Sequence, residues 1–341
     1  MNQEELLKQI EIDKDTFEGL HIIRFFSSFA AISKGKVIKL TEPYMEYCPL
    51  ASSLYNDIKK SEKLSSESIK KAIIKAVDEK ISKFGHFTEK RELYRDDIAI
   101  PYGASEILMY AMRKKIIDAA VVVCDGAGTV IVNRPEIVQG IGARMNGLFF
   151  TTPIYKIMEK LRNSNCHIVF RDANINQIEG AEKAARLGYR NIAVTVNGFT
   201  DENLNKLKEI EEDYEVSITS LVVCTTGITE KRIQEIEEYA DLVWSCASGE
   251  VRKIVGEKAI LQLSRKIPVF VLTRKGLLLT GGYSSDGKFI KNLDLNKQYI
   301  IAGSCKGRNI RMGNFDTYLS EAELPVRDGK EPRLLSHALK N

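Results

Sequence analysis

Residues 119–132 read AAVVVCDGAGTVIV, an apolar β-type run that stops at Cys124 and gives way to Asp125 and small residues. A second run, DLVWSCASG over residues 241–249, ends in the same way at Cys246. In a buried sheet, the residues just past the end of a strand lie where ligands usually bind. The two runs therefore predict buried strands with a thiol at the edge of the sheet.

The two runs share features that suggest an internal repeat. Each opens with an aspartate, Asp118 or Asp241, and each is followed by a glutamine in an apolar patch, Gln139 or Gln262. Self-similarity of this kind is a signature of repeated structural units. If the repeat is real, both thiols face one site.

Apolar runs alternate with amphipathic runs over much of the chain. Strands are expected at 166–170, 191–196, 217–224 and 242–245, with helices at 153–162, 177–187, 202–212 and 230–239. This cadence is typical of right-handed βαβ units. We therefore predict an α/β fold with a mostly parallel sheet flanked by helices.

The regions on either side of this core differ from it. A hairpin over residues 29–40 with a Lys-Gly-Lys turn and a helix over residues 66–84 are expected before it. From Lys275 onward, short strands, a turn at Gly281 and Gly282, and an Arg-rich stretch look like an addition. The predicted division is an N-terminal hairpin and helical region that carries Cys48, an α/β core, and a C-terminal extension: 1–100, 101–275 and 276–341.

The composition excludes several classes of protein. Lysine and arginine number 50 against 46 acidic residues, which gives a net charge of +4 without a basic tract, so nucleic-acid binding is poorly supported. No apolar run approaches the ~20 residues that span a bilayer, and the start MNQEELLKQIEIDKD lacks the apolar core of a secretory signal. We therefore expect a cytoplasmic protein without membrane contact, and the sequence leaves its oligomeric state open.

Six cysteines among 341 residues are too few for a disulfide scaffold. No CxxC pair occurs, so zinc-finger and ferredoxin spacings are both absent and any metal site must be assembled by the fold. The carboxyl ends of parallel strands share one edge, so Cys124, Cys224 and Cys246 can approach one another. Cys166 starts its strand and is expected at the opposite edge.

The glycines after Cys124 also invite a nucleotide-binding interpretation. A dinucleotide fingerprint needs a third glycine and a helix directly afterward, whereas Thr129 opens a second β-type run here. A tight hairpin or bulge over residues 125–128 is therefore favoured over a phosphate-binding loop.

Several motifs together resemble the methanogenesis marker protein 8 family, a group of mostly archaeal proteins whose name records an occurrence pattern and states no reaction. The resemblance covers roughly residues 20 to 275. The matching motifs are YCP at 47–49, VVVCDGAGTVIV at 121–132, PEIVQGIG at 135–142, TTP at 151–153, IAVTV at 192–196, TTG at 225–227, ADLV at 240–243 and CAS at 246–248. The segment after Lys275 departs from the family pattern and brings an extra cysteine, Cys305.

The resemblance selects Cys48, Cys124 and Cys246 together, and the residues alone place the same three on loops or strand ends. Three thiolates could hold three irons of a 4Fe-4S cluster and leave the fourth iron open, or could bind zinc with one open position. We therefore expect a cytoplasmic iron-sulfur protein of anaerobic cofactor or enzyme maturation, with zinc as the alternative metal. Further pocket candidates are Asp125, Thr129, Gln139, Arg144, Thr225 and Thr226.

Two other functions stay open at this point, and the sequence does not say whether the protein is an enzyme. Cys124 or Cys246 could act as a thiolate nucleophile or redox pair, with Asp125 or His86 assisting proton transfer. A non-catalytic factor that binds a protein partner in a maturation complex is the third interpretation. Each thiol taken alone could also be simple core packing, since free cysteine is often buried.

Overall fold

The structure is a computed structural model that describes residues 3–25, 28–43, 45–47, 58, 65–303, 306–327 and 332–334. Cys48 and Cys305 lie outside the described residues.

An eleven-stranded sheet forms the centre of the described chain, in the order β15-β16-β14-β12-β13-β11-β10-β9-β5-β6-β8. Its parallel part consists of four neighbouring strands, β5 (Ala119–Cys124), β9 (Asn191–Asn197), β10 (Ser217–Val223) and β11 (Leu242–Trp244). The other strands are β6 (Gly128–Val132), β8 (His167–Ile168), β12 (Leu261–Leu263), β13 (Val269–Val271), β14 (Tyr299–Ala302), β15 (Arg308–Met312) and β16 (Phe315–Glu321).

The prediction of a mostly parallel sheet needs correction, because the sheet is mixed. Antiparallel pairs join β5 to β6, β6 to β8, β11 to β13, β13 to β12, β14 to β16 and β15 to β16, and one further parallel pair joins β12 to β14. The α/β class is confirmed, and an uninterrupted run of parallel strands occurs only in the four central strands of the described sheet.

Helices cover both faces of the sheet. Buried residues alternate along the strands, with Ala120 and Val122 facing one cluster and Ala119 and Val121 facing the other, as expected for strands buried on both sides. The first face packs on α3 (Ala104–Arg113), α4 (Pro135–Gly142), α5 (Tyr155–Asn163) and α10 (Arg274–Tyr283). The second packs on α6 (Gln177–Arg186), α7 (Asn205–Tyr214), α8 (Glu230–Tyr239) and α9 (Gly249–Lys258).

A four-stranded antiparallel sheet, which we call the N-terminal sheet, has the order β3-β2-β1-β7. Its strands are β1 (Leu20–Phe25), β2 (Ser28–Ser33), β3 (Lys36–Leu40) and β7 (Gly147–Thr151). The predicted hairpin is confirmed: Lys34 and Gly35 both have positive φ, 50° and 71°, as a two-residue type I′ turn requires. The remaining elements are α1 (Gln3–Gln9), β4 (Met45–Tyr47), α2 (Ser66–Phe84), α11 (Lys288–Lys291) and β17 (Arg333–Leu334).

The predicted domain boundaries are both crossed by strand pairing. Strand β7 belongs in sequence to the predicted core but pairs with β1 of the N-terminal region. Strand β14 of the predicted extension pairs with β12 of the core sheet. Among the described residues, no helix combines the length and the apolar character needed to cross a bilayer.

The structure confirms the hairpin at 125–128 and corrects two local predictions. Strands β5 and β6 are antiparallel, with Cys124 opposite Gly128. The predicted internal repeat is not seen here, because β5 is followed by a strand, whereas β11 is followed by the helix α9. The predicted turn at Gly281 and Gly282 is wrong, because both residues lie within α10. A Cβ at Gly282 would lie 2.7 Å from Ile116 Cδ1, so the missing side chain lets α10 pack closely.

Candidate functional site

A cavity of about 330 Å³ lies where the carboxyl ends of the parallel strands meet the N-terminal sheet. Val123 of β5, Asn197 of β9 and Val223 of β10 contribute from the strands, and Arg24 of β1 and Leu148 of β7 contribute from the covering sheet. The carboxyl edge of a parallel sheet is the usual ligand position in α/β proteins. This cavity is therefore the candidate functional site.

Two cysteines line the cavity from neighbouring strands. Cys224 follows β10 and Cys246 follows β11, and the register pairs Val222 with Val243. Adjacent strands are about 4.8 Å apart, so this register brings the two thiol-bearing residues to one end of the cavity. Both residues have a left-handed backbone, with φ of 60° and 46°. Residues other than glycine rarely adopt this conformation outside functional or tightly held positions.

Arg24 supplies a buried positive charge beside these thiols. Its Nη1 donates a hydrogen bond to the carbonyl oxygen of Thr226 at 2.7 Å, and its guanidinium lies 4.1 Å from the ring centroid of Phe199. Burial lowers the pKa of Arg24 to about 10, although the charges of Cys224 and Cys246 act to raise it. At physiological pH, Arg24 is therefore a cation whose charge interacts with both sulfur atoms.

Hydrogen bonds hold the two cysteine loops together. Thr225 Oγ1 donates to the carbonyl oxygen of Trp244 at 2.7 Å, and the amide of Ala247 donates to Thr226 Oγ1 at 3.1 Å. Arg252 Nη2 donates to the carbonyl oxygen of Cys246 at 2.8 Å. These bonds fix the relative position of the two thiols through the backbone.

Gly147 makes room for the Cys224 sulfur. A Cβ at residue 147 would lie 2.6 Å from Cys224 Sγ, closer than any ordinary contact between carbon and sulfur. The first residue of β7 therefore has to be glycine if the thiol is to keep its place in the cavity wall.

The protonation state of Cys224 limits what the thiols can do. Burial raises the pKa of Cys224 to about 12, and the charge of Cys246 adds to this effect while Arg24 opposes it. A neutral thiol is a weak nucleophile. Metal coordination deprotonates a thiol outright, so the arrangement suits ligation better than nucleophilic attack.

The cavity wall carries a second basic group, Arg144. Arg144 lines the cavity, pairs with Asp97 at 3.3 Å and lies 4.7 Å from the ring centroid of Phe84. Lys80 donates to the carbonyl oxygen of Arg144 at 2.7 Å and to the side chain of Asn146. Burial lowers the pKa of Lys80 to about 7, with further contributions from Arg144 and Arg91.

Cys124 and Asp125 lie in a separate buried cluster. Asp125 accepts hydrogen bonds from Arg91 Nε at 3.0 Å and from the amide of Phe87 at 2.7 Å. Burial raises the pKa of Asp125, but Arg91 and neighbouring donors overcome this effect and hold the pKa below its usual value. Burial and the charge of Asp125 raise the pKa of Cys124 well above its usual value. Neither residue lines the cavity.

The structure does not bring Cys124 and Cys246 together. Strands β9 and β10 lie between β5 and β11 in the sheet, so the two strand ends are separated by three strand spacings, or about 14 Å. Cys48, the third member of the predicted trio, lies outside the described residues. No group of three or more His, Cys, Asp or Glu side chains suited to a metal occurs in the described part of the chain.

The other predicted pocket residues divide into two groups. Thr226 and Arg144 line the cavity. Thr129, Gln139 and Thr225 are fully buried, and their side chains make hydrogen bonds to Gln177 at 3.0 Å, Glu106 at 3.0 Å and Trp244 O at 2.7 Å respectively. These three residues therefore support the core and the loops instead of facing a ligand.

Arg24 was absent from the sequence prediction, and Cys224 was considered there but not chosen. The signal for Arg24 is an arginine inside the otherwise apolar run LHIIRF, every residue of which is buried. The signal for Cys224 is its place directly after β10, the strand that neighbours β11. Cys166 precedes β8, which runs in the same direction as β5, so it lies at the opposite edge of the sheet from the cavity.

A second cavity of about 490 Å³ shares Val123, Leu148 and Asn197 with the first. Its wall is rich in carboxamides and carboxylates, including Asn176, Gln177 and Glu202, and it contains no cysteine. The first cavity therefore holds the chemistry that could bind a soft metal.

Comparison with known proteins relates the chain to a family described from archaea. A family model described as "Uncharacterized protein conserved in archaea (DUF2099)" matches residues 21–280, which include Arg24, Cys224 and Cys246. The uncharacterized protein MJ0054 of Methanocaldococcus jannaschii is 39% identical over 266 residues, covering 78% of this chain and 88% of that protein. No solved structure matches the chain.

Proposed function

The chain belongs to the DUF2099 family of proteins conserved in archaea, and we propose that it is an iron-sulfur protein that acts in anaerobic cofactor or enzyme maturation. The convergence of Cys224 and Cys246 beside Arg24, in the wall of one cavity, carries this proposal. The cluster lies in the cavity at the carboxyl edge of the parallel strands.

The donor set fits a thiolate-bound cluster. Thiolates are soft ligands that favour iron-sulfur clusters and zinc over hard cations. Metal ligation places thiolate charge in a buried site, and the guanidinium of Arg24 compensates part of that charge. Gly147 leaves space at the Cys224 sulfur.

Cys48 supplies the third ligand in this proposal. Met45, which lines the cavity, precedes Cys48 by three residues in the chain. The proposed trio is therefore Cys48, Cys224 and Cys246, with Cys224 in place of the buried Cys124. Three thiolates leave one iron of a 4Fe-4S cluster open to a substrate or to sulfide.

The role in maturation is supported by the resemblance of the sequence motifs to the methanogenesis marker protein 8 family. A protein partner that receives the cluster or the matured cofactor is part of the same proposal. Zinc is the alternative metal, since the same thiolates bind it tetrahedrally with one open position.

Anaerobic purification followed by iron, sulfide and zinc analysis tests the proposal. We expect iron, sulfide and a visible absorbance band in the wild-type protein and in Cys166→Ser, whose thiol lies away from the cavity. Cys48→Ser, Cys224→Ser and Cys246→Ser should each lose the band. Wild-type protein that takes up neither iron nor zinc after anaerobic reconstitution would refute a metal-binding role.

A dithiol redox pair is a second candidate, favoured by the same proximity of Cys224 and Cys246. In that case the two thiols would lose two electrons and two protons to the disulfide of a partner protein and form one disulfide. Thiol counting after treatment with a dithiol–disulfide buffer distinguishes the two: a metal-free protein whose Cys224 and Cys246 oxidise together reversibly supports the redox pair.

A further inference from the structure

We propose that the cavity binds a small organic anion with an apolar body, whose anionic group lies at Arg144. This inference goes beyond the metal site and does not depend on it, because Arg144 belongs to a different part of the cavity wall from the thiols.

The cavity wall is apolar over much of its area. Leu108, Val122, Val138, Ile141 and Trp244 come from four different elements of the core and line one continuous space. Small-molecule sites typically combine such a wall with a few well-placed polar groups. A volume of about 330 Å³ is at the lower end of the usual range for ligand cavities, so the ligand is small.

Arg144 has spare capacity for an anion. Its only ion pair among the described residues is with Asp97, and that carboxylate also accepts from Arg95 Nε at 2.8 Å. The Nη1 atom of Arg144 is buried and has no hydrogen-bond partner in the described part of the chain. The Arg144 side chain as a whole is 32% exposed and lines the cavity, so it is within reach of a ligand that supplies an acceptor.

Lys80 adds positive charge directly behind Arg144. Its acceptors are the carbonyl oxygen of Arg144 and the side chain of Asn146, which are both neutral groups. The low pKa of Lys80, about 7, reflects burial together with the nearby cations Arg144 and Arg91. An anion bound at Arg144 would relieve this repulsion and stabilise the charged form of Lys80.

The arrangement selects the chemical class of the ligand. The planar fork of an arginine binds carboxylate and phosphate oxygens, and the apolar wall accepts a hydrocarbon portion of the same molecule. Gly147, next to the Cys224 sulfur, is only three residues from Arg144, and both line the cavity. Three residues span at most about 11 Å, so a ligand anchored at Arg144 lies close to the part of the wall that Gly147 and Cys224 form.

Calorimetric titration with four probes tests the inference: octanoate, octyl phosphate, octanol and octylammonium. The protein is the full chain carrying Cys224→Ser and Cys246→Ser, which removes both thiols and so separates this result from the fate of the metal proposal. We expect octanoate or octyl phosphate to bind and octanol and octylammonium not to bind. Tighter binding of one of the two anions identifies a carboxylate or a phosphate ligand.

Arg144→Gln should weaken binding of the anion by roughly ten- to a hundred-fold, the usual effect of removing a charge-assisted donor. Arg95→Gln is the matched control, since Arg95 also pairs with Asp97 and also lies over the Phe84 ring but does not line the cavity. Arg144→Lys keeps the charge and should bind with an intermediate affinity. Equal binding of octanoate and octanol, or equal losses in the Arg144 and Arg95 variants, would overturn the inference.

Discussion

The Sγ of Cys224 occupies the space that a side chain at Gly147 would need, with only 2.6 Å between the sulfur and the position of a Cβ at residue 147. The two residues belong to different sheets, because Gly147 starts β7 of the N-terminal sheet and Cys224 follows β10 of the central sheet. The position of the thiol therefore depends on how closely the N-terminal sheet lies on the strand ends.

Gly147→Ala should displace the Cys224 sulfur and reduce the bound metal while the protein stays folded. Overpacking of this kind costs about 1–3 kcal/mol, and Gly147 does not have a positive φ that would add strain. Iron content after anaerobic purification and a urea unfolding curve measure the two effects. Gly249→Ala is the control, since no atom lies within 4 Å of its added Cβ; equal iron content in the two variants would contradict the prediction.

Arg24→Gln should shift the reduction potential of the proposed cluster to more negative values. Removal of a buried positive charge makes the addition of an electron less favourable, and Arg24 interacts with both cysteines. A redox titration followed by electron paramagnetic resonance measures the shift. Arg24→Lys keeps the charge and should leave the potential close to that of the wild type. Arg232→Gln is the control for the loss of a buried arginine away from the thiols. A potential that does not change in Arg24→Gln would show that the charge has no influence on the cluster.

Asp125→Asn should destabilise the fold by about 3–5 kcal/mol, because it leaves the buried Arg91 without its charged partner. Arg95→Gln removes more exposed pairs with Glu92 and Asp97, for each of which about 0–1 kcal/mol is expected. Urea unfolding of both variants gives the comparison. The affinity of the folded Asp125→Asn protein for the anion should match that of the wild type. A loss of affinity in the folded variant would show that Asp125 takes part in anion binding.

Stability should fall on acidification below about pH 6.5, because two histidines are buried in the neutral form. Burial lowers the pKa of His21 to about 4 and, together with Arg91, that of His86 to about 3. The unfolded chain binds protons at these histidines from about pH 6.5 downward while the folded chain does not, so stability is complete above pH 6.5 and is lost toward pH 4 and pH 3.

The depressed pKa of His21 corresponds to a loss of about 3 kcal/mol in the free energy of unfolding once the pH is below that pKa. Urea unfolding at a series of pH values measures the loss, and the curve above pH 7 serves as its baseline. His86→Phe, which places a third aromatic ring between Phe84 and Phe87, should make the acid dependence shallower. An unchanged slope in this variant would mean that His86 does not contribute.

Much of the fold could be predicted because the helix-strand alternation is local. Strand β9 and helices α6 and α8 lie within one residue of the predicted bounds. The antiparallel strands β12 and β13 were not predicted because each has only three residues. A strand of that length is too short to show an alternation of apolar and polar residues. Two consecutive glycines, Gly281 and Gly282, predict a turn from local sequence alone. They are helical in the structure because α10 packs closely against Ala111 and Ile116.

The cavity is lined by some of the residues that the sequence singles out and not by others. The rule that strand ends share an edge predicts a site beside Cys246, and Cys246 lines the cavity. The similarity of the two cysteine motifs then favoured Cys124, whereas spatial adjacency in a sheet depends on strand order, and β10 is the neighbour of β11. Arg24 comes from a strand some 200 residues earlier in the chain, and no local pattern relates it to the thiols.

The pairing of β1 with β7 has a consequence for synthesis of the protein on the ribosome. Strand β1 emerges more than 100 residues before its partner β7, and the two cysteine loops emerge later still. The nascent chain therefore has to hold one edge of the apolar strand LHIIRF without β7 during much of translation, although its other partner β2 follows it directly. The cavity closes only when almost three quarters of the chain has been made, so a ligand can be enclosed in it only late in biogenesis or after release.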